Sequence, residues 1–162
     1  MTAKTLLAAA LALVASAALA HDYKAGAITI DHPWTRATPR GASVAAGYFT
    51  LTNAGTAPDR LVGATAAVAG RVEIHEMSMA DGVMRMRPVE HGIELKPGET
   101  VEFKSNSFHL MMLDLKQQPQ QGQRIKGTLT FEKAGTVDIE FVVEAIGGPA
   151  RAAPGMDHMQ MH

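Results

Sequence analysis

The chain has 162 residues, 15 basic and 16 acidic, with seven histidines, ten methionines and no cysteine. Its length suits one domain with a proper core, and its near-balanced charge gives no electrostatic footprint for nucleic acid and no polybasic membrane patch. The lack of cysteine removes thiol redox chemistry, thiolate nucleophiles, Fe–S clusters and blue-copper electron transfer.

The chain opens MTAKTLLAAALALVASAALA. Lys4 supplies a short positive region, Leu6 to Val14 an apolar one, and Ala18-Leu19-Ala20 a small-residue cleavage site. Residues 1–20 are therefore expected to be a secretory signal peptide, leaving a mature exported protein that begins at His21. Its removal takes away Lys4 and no acid, so 14 basic and 16 acidic residues remain. No later stretch is long and apolar enough to be expected to cross a membrane.

Beyond the signal the pattern is that of strands. Short ones are predicted near 27–31, 46–53, 59–66, 71–78, 83–89, 100–104 and 108–115, separated by Gly, Pro, Asn and Asp. In 136–145, Val137, Ile139, Phe141 and Val143 alternate with Asp138 and Glu140, which marks a half-buried strand. It pairs with its predecessor through a turn at Lys133-Ala134-Gly135. Many short strands at this spacing indicate a single all-β domain, an antiparallel β-sandwich or barrel, over residues 21–147. Residues 148–162, GPARAAPGMDHMQMH, lack core formers and are expected to be a flexible, disordered tail.

One hairpin concentrates soft donors. In HEMSMADGVMRM, 75–86, a two-residue type I′ turn at Asp81-Gly82 sets Met79 opposite Met84 and Met77 opposite Met86. His75 then lies diagonal to Met86, and His75, Met77, Met79, Met84 and Met86 share one face. A three-residue turn would instead send Met86 to the other face. Downstream, His109 and Met111 stand two residues apart on a predicted strand and also share a face. Thioethers favour Cu(I), and imidazole supports it. Zinc more often asks for Cys or further His, and Mg or Ca for oxygen. Met79, Met84 and Met112 are read first as core filler, because a lone strand methionine ordinarily is.

The spacing His75-x10-Met86-x22-His109-x-Met111 resembles the motif of the periplasmic copper chaperone family, the PCuA(C)-like proteins. HPWTRATPRGASVAAGYFTLTN, DRLVGA, VEIHEMSMADGVMRMRPV, FHLMML and LTFEKAGTVDIEF also look like stretches of that family, so the likeness spans about residues 28–145. The resemblance implies a cupredoxin-like sandwich holding Cu(I) through His75, Met86, His109 and Met111. It further implies a periplasmic location and delivery of copper to cytochrome c oxidase, either to its copper acceptor domain or to an assembly factor. On this reading the protein is a monomeric carrier and not an enzyme.

Secondary candidates flank the domain. Met156, His158, Met159, Met161 and His162 offer a further site for Cu(I) or Cu(II), Met77 a supplementary ligand, and His21 an imidazole beside a free amine after cleavage. His21 raises a different class, a copper oxidase built on an N-terminal histidine, but the chain shows no aromatic platform and DYKAG after it looks flexible. Copper storage or resistance is the other alternative. A purely structural or adhesive sandwich predicts no tight Cu(I) binding. His32 and His91 read as surface histidines, and Trp34 as a core anchor.

Overall fold

A computed structural model of the chain describes residues 22–147. The expected signal peptide, His21 and the 148–162 segment lie outside the described residues.

The described residues hold eleven strands and no helix. β1 (Asp22–Ala25), β2 (Ile28–Arg36), β3 (Val44–Asn53), β4 (Asp59–Ala66) and β5 (Ala69–Ala80) come first. β6 (Val83–Pro88), β7 (Ile93–Leu95), β8 (Thr100–Phe103), β9 (Phe108–Leu115), β10 (Arg124–Phe131) and β11 (Gly135–Glu144) follow. One hydrogen-bonded path, β6-β5-β9-β8-β3-β2-β11-β10-β4-β7, runs over the whole domain, with β1 added beside β2. Most pairings are antiparallel, as expected. Two are parallel, β11 with β2 and β8 with β9. DYKAG is not a flexible leader: Asp22–Ala25 is strand β1, paired with Ile28–Asp31 through a tight turn.

The period-2 patterns decide which face is inside. Ile139, Phe141 and Val143 of β11 are buried together with Ile28, Ile30, Leu51, Leu61, Leu110, Met112, Leu129 and Phe131. They form a single core. On β3 the inward row is Ala45, Gly47, Phe49 and Leu51, where Gly47 leaves room for Met112 and Phe141. Ala46 and Tyr48 therefore face away from the core. Trp34 pairs with Tyr48 across β2–β3 and sits on that outer face too, its ring 4.7 Å from the tyrosine ring and under the Arg36 guanidinium. It anchors the outer surface rather than the core.

One buried carboxylate ties β4 to the β10–β11 connection. Asp59 accepts hydrogen bonds from the backbone N–H groups of Arg60, Lys133 and Ala134 at 2.7–3.0 Å. Burial alone would raise its pKa, but these three donors outweigh it and hold the carboxyl below 3.8. Asp59→Asn places an NH2 group among N–H donors and is expected to lower stability by about 1–3 kcal/mol in urea unfolding. The carboxyl is lowered in the fold, so its contribution is present above the unfolded pKa and lost as pH falls through the folded one. The variant's stability should consequently be flatter than the parent's in the acid range below 3.8.

Candidate metal centre

The centre is built from three neighbouring strands. Asp81 and Gly82 have φ of 51° and 75°, the left-handed pair that a type I′ turn demands. The register beyond it is Ala80↔Val83, Met79↔Met84, Met77↔Met86 and His75↔Pro88. The two-residue turn is thus the one formed, and Met86 stays on the face of His75. Ala80 and Val83 flank the turn as a hydrogen-bonded pair, so every second pair after them is non-hydrogen-bonded. The same parity persists to the end of the hairpin, where the Val89 N–H donates to the Ile74 carbonyl at 2.8 Å. Both methionine pairs occupy the non-hydrogen-bonded sites, in which facing side chains lie closest. Pro88 occupies one too, on an edge strand, where its missing N–H leaves no ladder bond unmade.

β5 also pairs with β9, setting His75 opposite His109 and Glu73 opposite Met111. Ile74, Leu110 and Met112 point into the core, so His75, His109, Met111, Met77 and Met86 share the outer face. Met112 is fully buried and cannot serve the centre. Met79 and Met84 are not core filler, being 66% and 45% exposed at the hairpin tip.

The two imidazoles are buried despite facing outward, 9% exposed at His75 and 4% at His109, with ring centroids 6.0 Å apart. Nδ1–H of His109 donates to the Ser107 carbonyl at 3.2 Å, which leaves the Nε2 lone pair aimed at Met86 Sδ, 3.3 Å away. Two donors of one tetrahedral ion, at roughly 2.0 Å for N and 2.3 Å for S, lie about 3.5 Å apart. The observed separation matches that of two ligands on one metal. His75 stands opposite His109 on β5. Its Nε2 is held by Glu73 Oε2 at 2.8 Å, and its Nδ1 is buried without a hydrogen-bond partner. Such an orphaned acceptor costs about 1–3 kcal/mol unless something binds it.

Glu73 is the residue sequence reading missed. Its second oxygen, Oε1, is 3.5 Å from Arg71 Nε, and Arg71 also reaches Asp114. The signal was present as alternation, Arg71-x-Glu73-x-His75 on one face of one strand. Both carboxylate oxygens are committed, so Glu73 orients a ligand and is not spare as one. Among the described residues, no group of three or more His, Cys, Asp or Glu could hold a metal ion. The donors that converge here include thioethers. The described surface histidines stand apart: His32 contacts Glu144 at 3.3 Å, and His91 is exposed. The candidates His21, Met156, His158, Met159, Met161 and His162 lie outside the described residues.

A family described as "Putative lipoprotein LpqE-like" matches residues 28–143, nearly the whole described domain. The chain belongs to the LpqE-like family. A curated relative of this LpqE-like chain, "Putative lipoprotein Lxx21020" of Leifsonia xyli subsp. xyli (strain CTCB07), is 29% identical over 125 residues, covering 77% of this chain and 74% of its own. Among solved structures, the copper-bound PCuAC domain from PmoF2 superposes with a TM-score of 0.66 at 32% identity, over 78% of this chain and 99% of that one. The Cu(I) form of DR1885 from Deinococcus radiodurans gives 0.53 at 26%, over 70% and 75%. The all-β fold of the LpqE-like chain is thus that of PCuAC domains.

Burial presses the His109 pKa down, and the neighbouring His75 adds to this, against the Ser107 hydrogen bond that raises it. The imidazole is therefore expected to titrate below 6.5 by NMR. Because the unfolded chain binds the proton more readily, His109's contribution to stability is full above the unfolded pKa and declines as pH falls below it. His109→Gln should flatten that part of the stability profile. Glu73→Ala is expected to release the His75 tautomer, read from imidazole 15N shifts, and Glu73→Gln to retain it through its carbonyl oxygen.

Proposed function

We propose that this protein is an exported copper chaperone that carries Cu(I) at His75, Met86, His109 and Met111 and passes it to an acceptor by ligand exchange. The observation that carries this is the approach of His109 Nε2 to Met86 Sδ at 3.3 Å, with His75, whose buried Nδ1 has no hydrogen-bond partner, opposite His109. Thioethers are soft, neutral and proton-free, and they favour Cu(I) over harder ions. Imidazole must be neutral to bind, and burial lowers the His109 pKa in the direction that favours this form. The copper named for the PmoF2 domain and for DR1885 supports the same cargo here.

The geometry also favours release in steps. Met86 is half exposed on an edge strand while both histidines are buried, so an incoming acceptor ligand can displace the thioether first. Copper then never needs to pass through water as a free ion. The resemblance to periplasmic copper chaperones makes the copper centre of cytochrome c oxidase, or an assembly factor for it, the acceptor we favour. The lipoprotein description of the family supports export. The chain itself has no cysteine, the residue on which thioether and thioester lipid anchors are built. Met77 stands opposite Met86 and can exchange with it. Met156, His158, Met159, Met161, His162 and the amine of His21 are auxiliary donors, for Cu(II) or loosely held Cu(I).

Anaerobic titration of the mature chain with Cu(I) against a competing chelator tests the centre. We expect one tight equivalent that survives alanine at the five tail positions. It should weaken by about 100-fold or more when His109→Ala and Met111→Leu are combined. No tight equivalent in the parent chain would refute copper carriage. Oxidase activity in a deletion strain separates delivery from storage, since storage alone leaves it unchanged when copper is ample.

A further inference from the structure

The hairpin carries a second thioether pair that the principal centre does not use. Met79 and Met84 face each other across a non-hydrogen-bonded site, on the same face as Met77 and Met86 and two residues nearer the turn. Facing side chains at such a site have Cβ atoms about 4.5–5.5 Å apart, well within the reach of two methionines. Neither packing nor strand propensity explains them. They are exposed, with Val83 and Met86 exposed beside them, and strands favour β-branched and aromatic residues over methionine. Packing a core is the usual task of methionine, and here Met112 performs it.

We propose that Met79 and Met84 form an outer station for Cu(I), weaker than the principal centre, which the ion occupies on its way in and out. The proposal rests on copper carriage by that centre. The spacing suits a relay: successive pairs on one face lie about 7 Å apart, two residues along a strand. Flexible three-torsion side chains can pass an ion over that gap with one thioether released as the next is taken. The ion stays Cu(I) throughout and no proton moves, because thioethers carry none. Two sulfur donors without an imidazole hold the ion loosely, as a station for entry and exit must. The type I′ turn places this pair at the exposed end of the hairpin. An acceptor or donor protein meets it before Met86.

The test uses the mature full-length chain with methionine methyl groups labelled with 13C, titrated anaerobically with Cu(I) alone. The first equivalent is expected to move the methyls of Met86 and Met111, and a modest excess to move those of Met79 and Met84 in fast exchange. The sulfur-free, still apolar variant Met79→Leu/Met84→Leu should keep the affinity of the first equivalent. It should exchange copper with a competing chelator about fivefold to tenfold more slowly, since the effect lies in a path and not in the bound state. The station is overturned if the Met79 and Met84 methyls stay unmoved through two equivalents while those of Met156, Met159 and Met161 shift. It is equally overturned if the double variant exchanges at the parent rate. Movement at Met79 and Met84 with the methyls of Met86 and Met111 unmoved would refute the principal centre, and with it a relay that leads to that centre.

Discussion

Everything at the candidate metal centre depends on the register of one hairpin, and two residues fix that register. Asp81 and Gly82 both adopt left-handed backbone, which a two-residue loop needs if its twist is to match that of the flanking strands. Strand side chains alternate with a period of two. A slip of one residue would carry Met86 to the far face, bring Arg85 and Arg87 to the near one, and take the Met86 sulfur away from His109. The turn also sets parity, placing both methionine pairs and Pro88 at the non-hydrogen-bonded sites. An Asp-Gly dipeptide thereby decides, at a distance of several residues, which donors can meet.

The second constraint is the pairing of β5 with β9, which turns a hairpin feature into a site. It brings His109 directly opposite His75 and sets Met111 beside Glu73. Each imidazole is oriented by the residue two positions before it, the Ser107 carbonyl for His109 and the Glu73 carboxylate for His75. The two rings consequently offer different nitrogens, Nε2 and Nδ1. Such outer contacts select the tautomer before any metal arrives, so less reorganisation is needed on binding. Both rings are buried, whereas Met86 remains half exposed and open to partners. Division of labour between fixed imidazoles and movable sulfurs suits a carrier that must bind firmly and also release.

The LpqE-like family match spans residues 28–143, and the likeness to the PmoF2 PCuAC domain covers 78% of this chain. His75, Met86, His109 and Met111 fall inside residues 28–143. Elsewhere on the outer surface, Trp34 of β2 and Tyr48 of β3 pair with rings 4.7 Å apart, the Arg36 guanidinium lying over the indole.

Sequence alone determined the all-β class and most of the strands, and it supplied the two-residue turn that the structure bears out, together with a candidate donor set, because these rest on short-range rules. Alternation with a period of two, the Asp-Gly turn and the spacing of His109 and Met111 can all be read within a dozen residues. Strands β1 and β7, of four and three residues, escaped because so short a segment carries no usable period. The parallel joins of β2 with β11 and of β8 with β9 could not be read either, since pairing between distant segments leaves no local mark. The tertiary structure alone decided that Met112 is core while Met79 and Met84 are exposed, for all three sit on similar apolar strands and only packing separates them. It alone also placed Trp34 on the outer face and gave Glu73 its role. That role depends on a distance of 2.8 Å between side chains, which spacing permits but only the folded strand fixes.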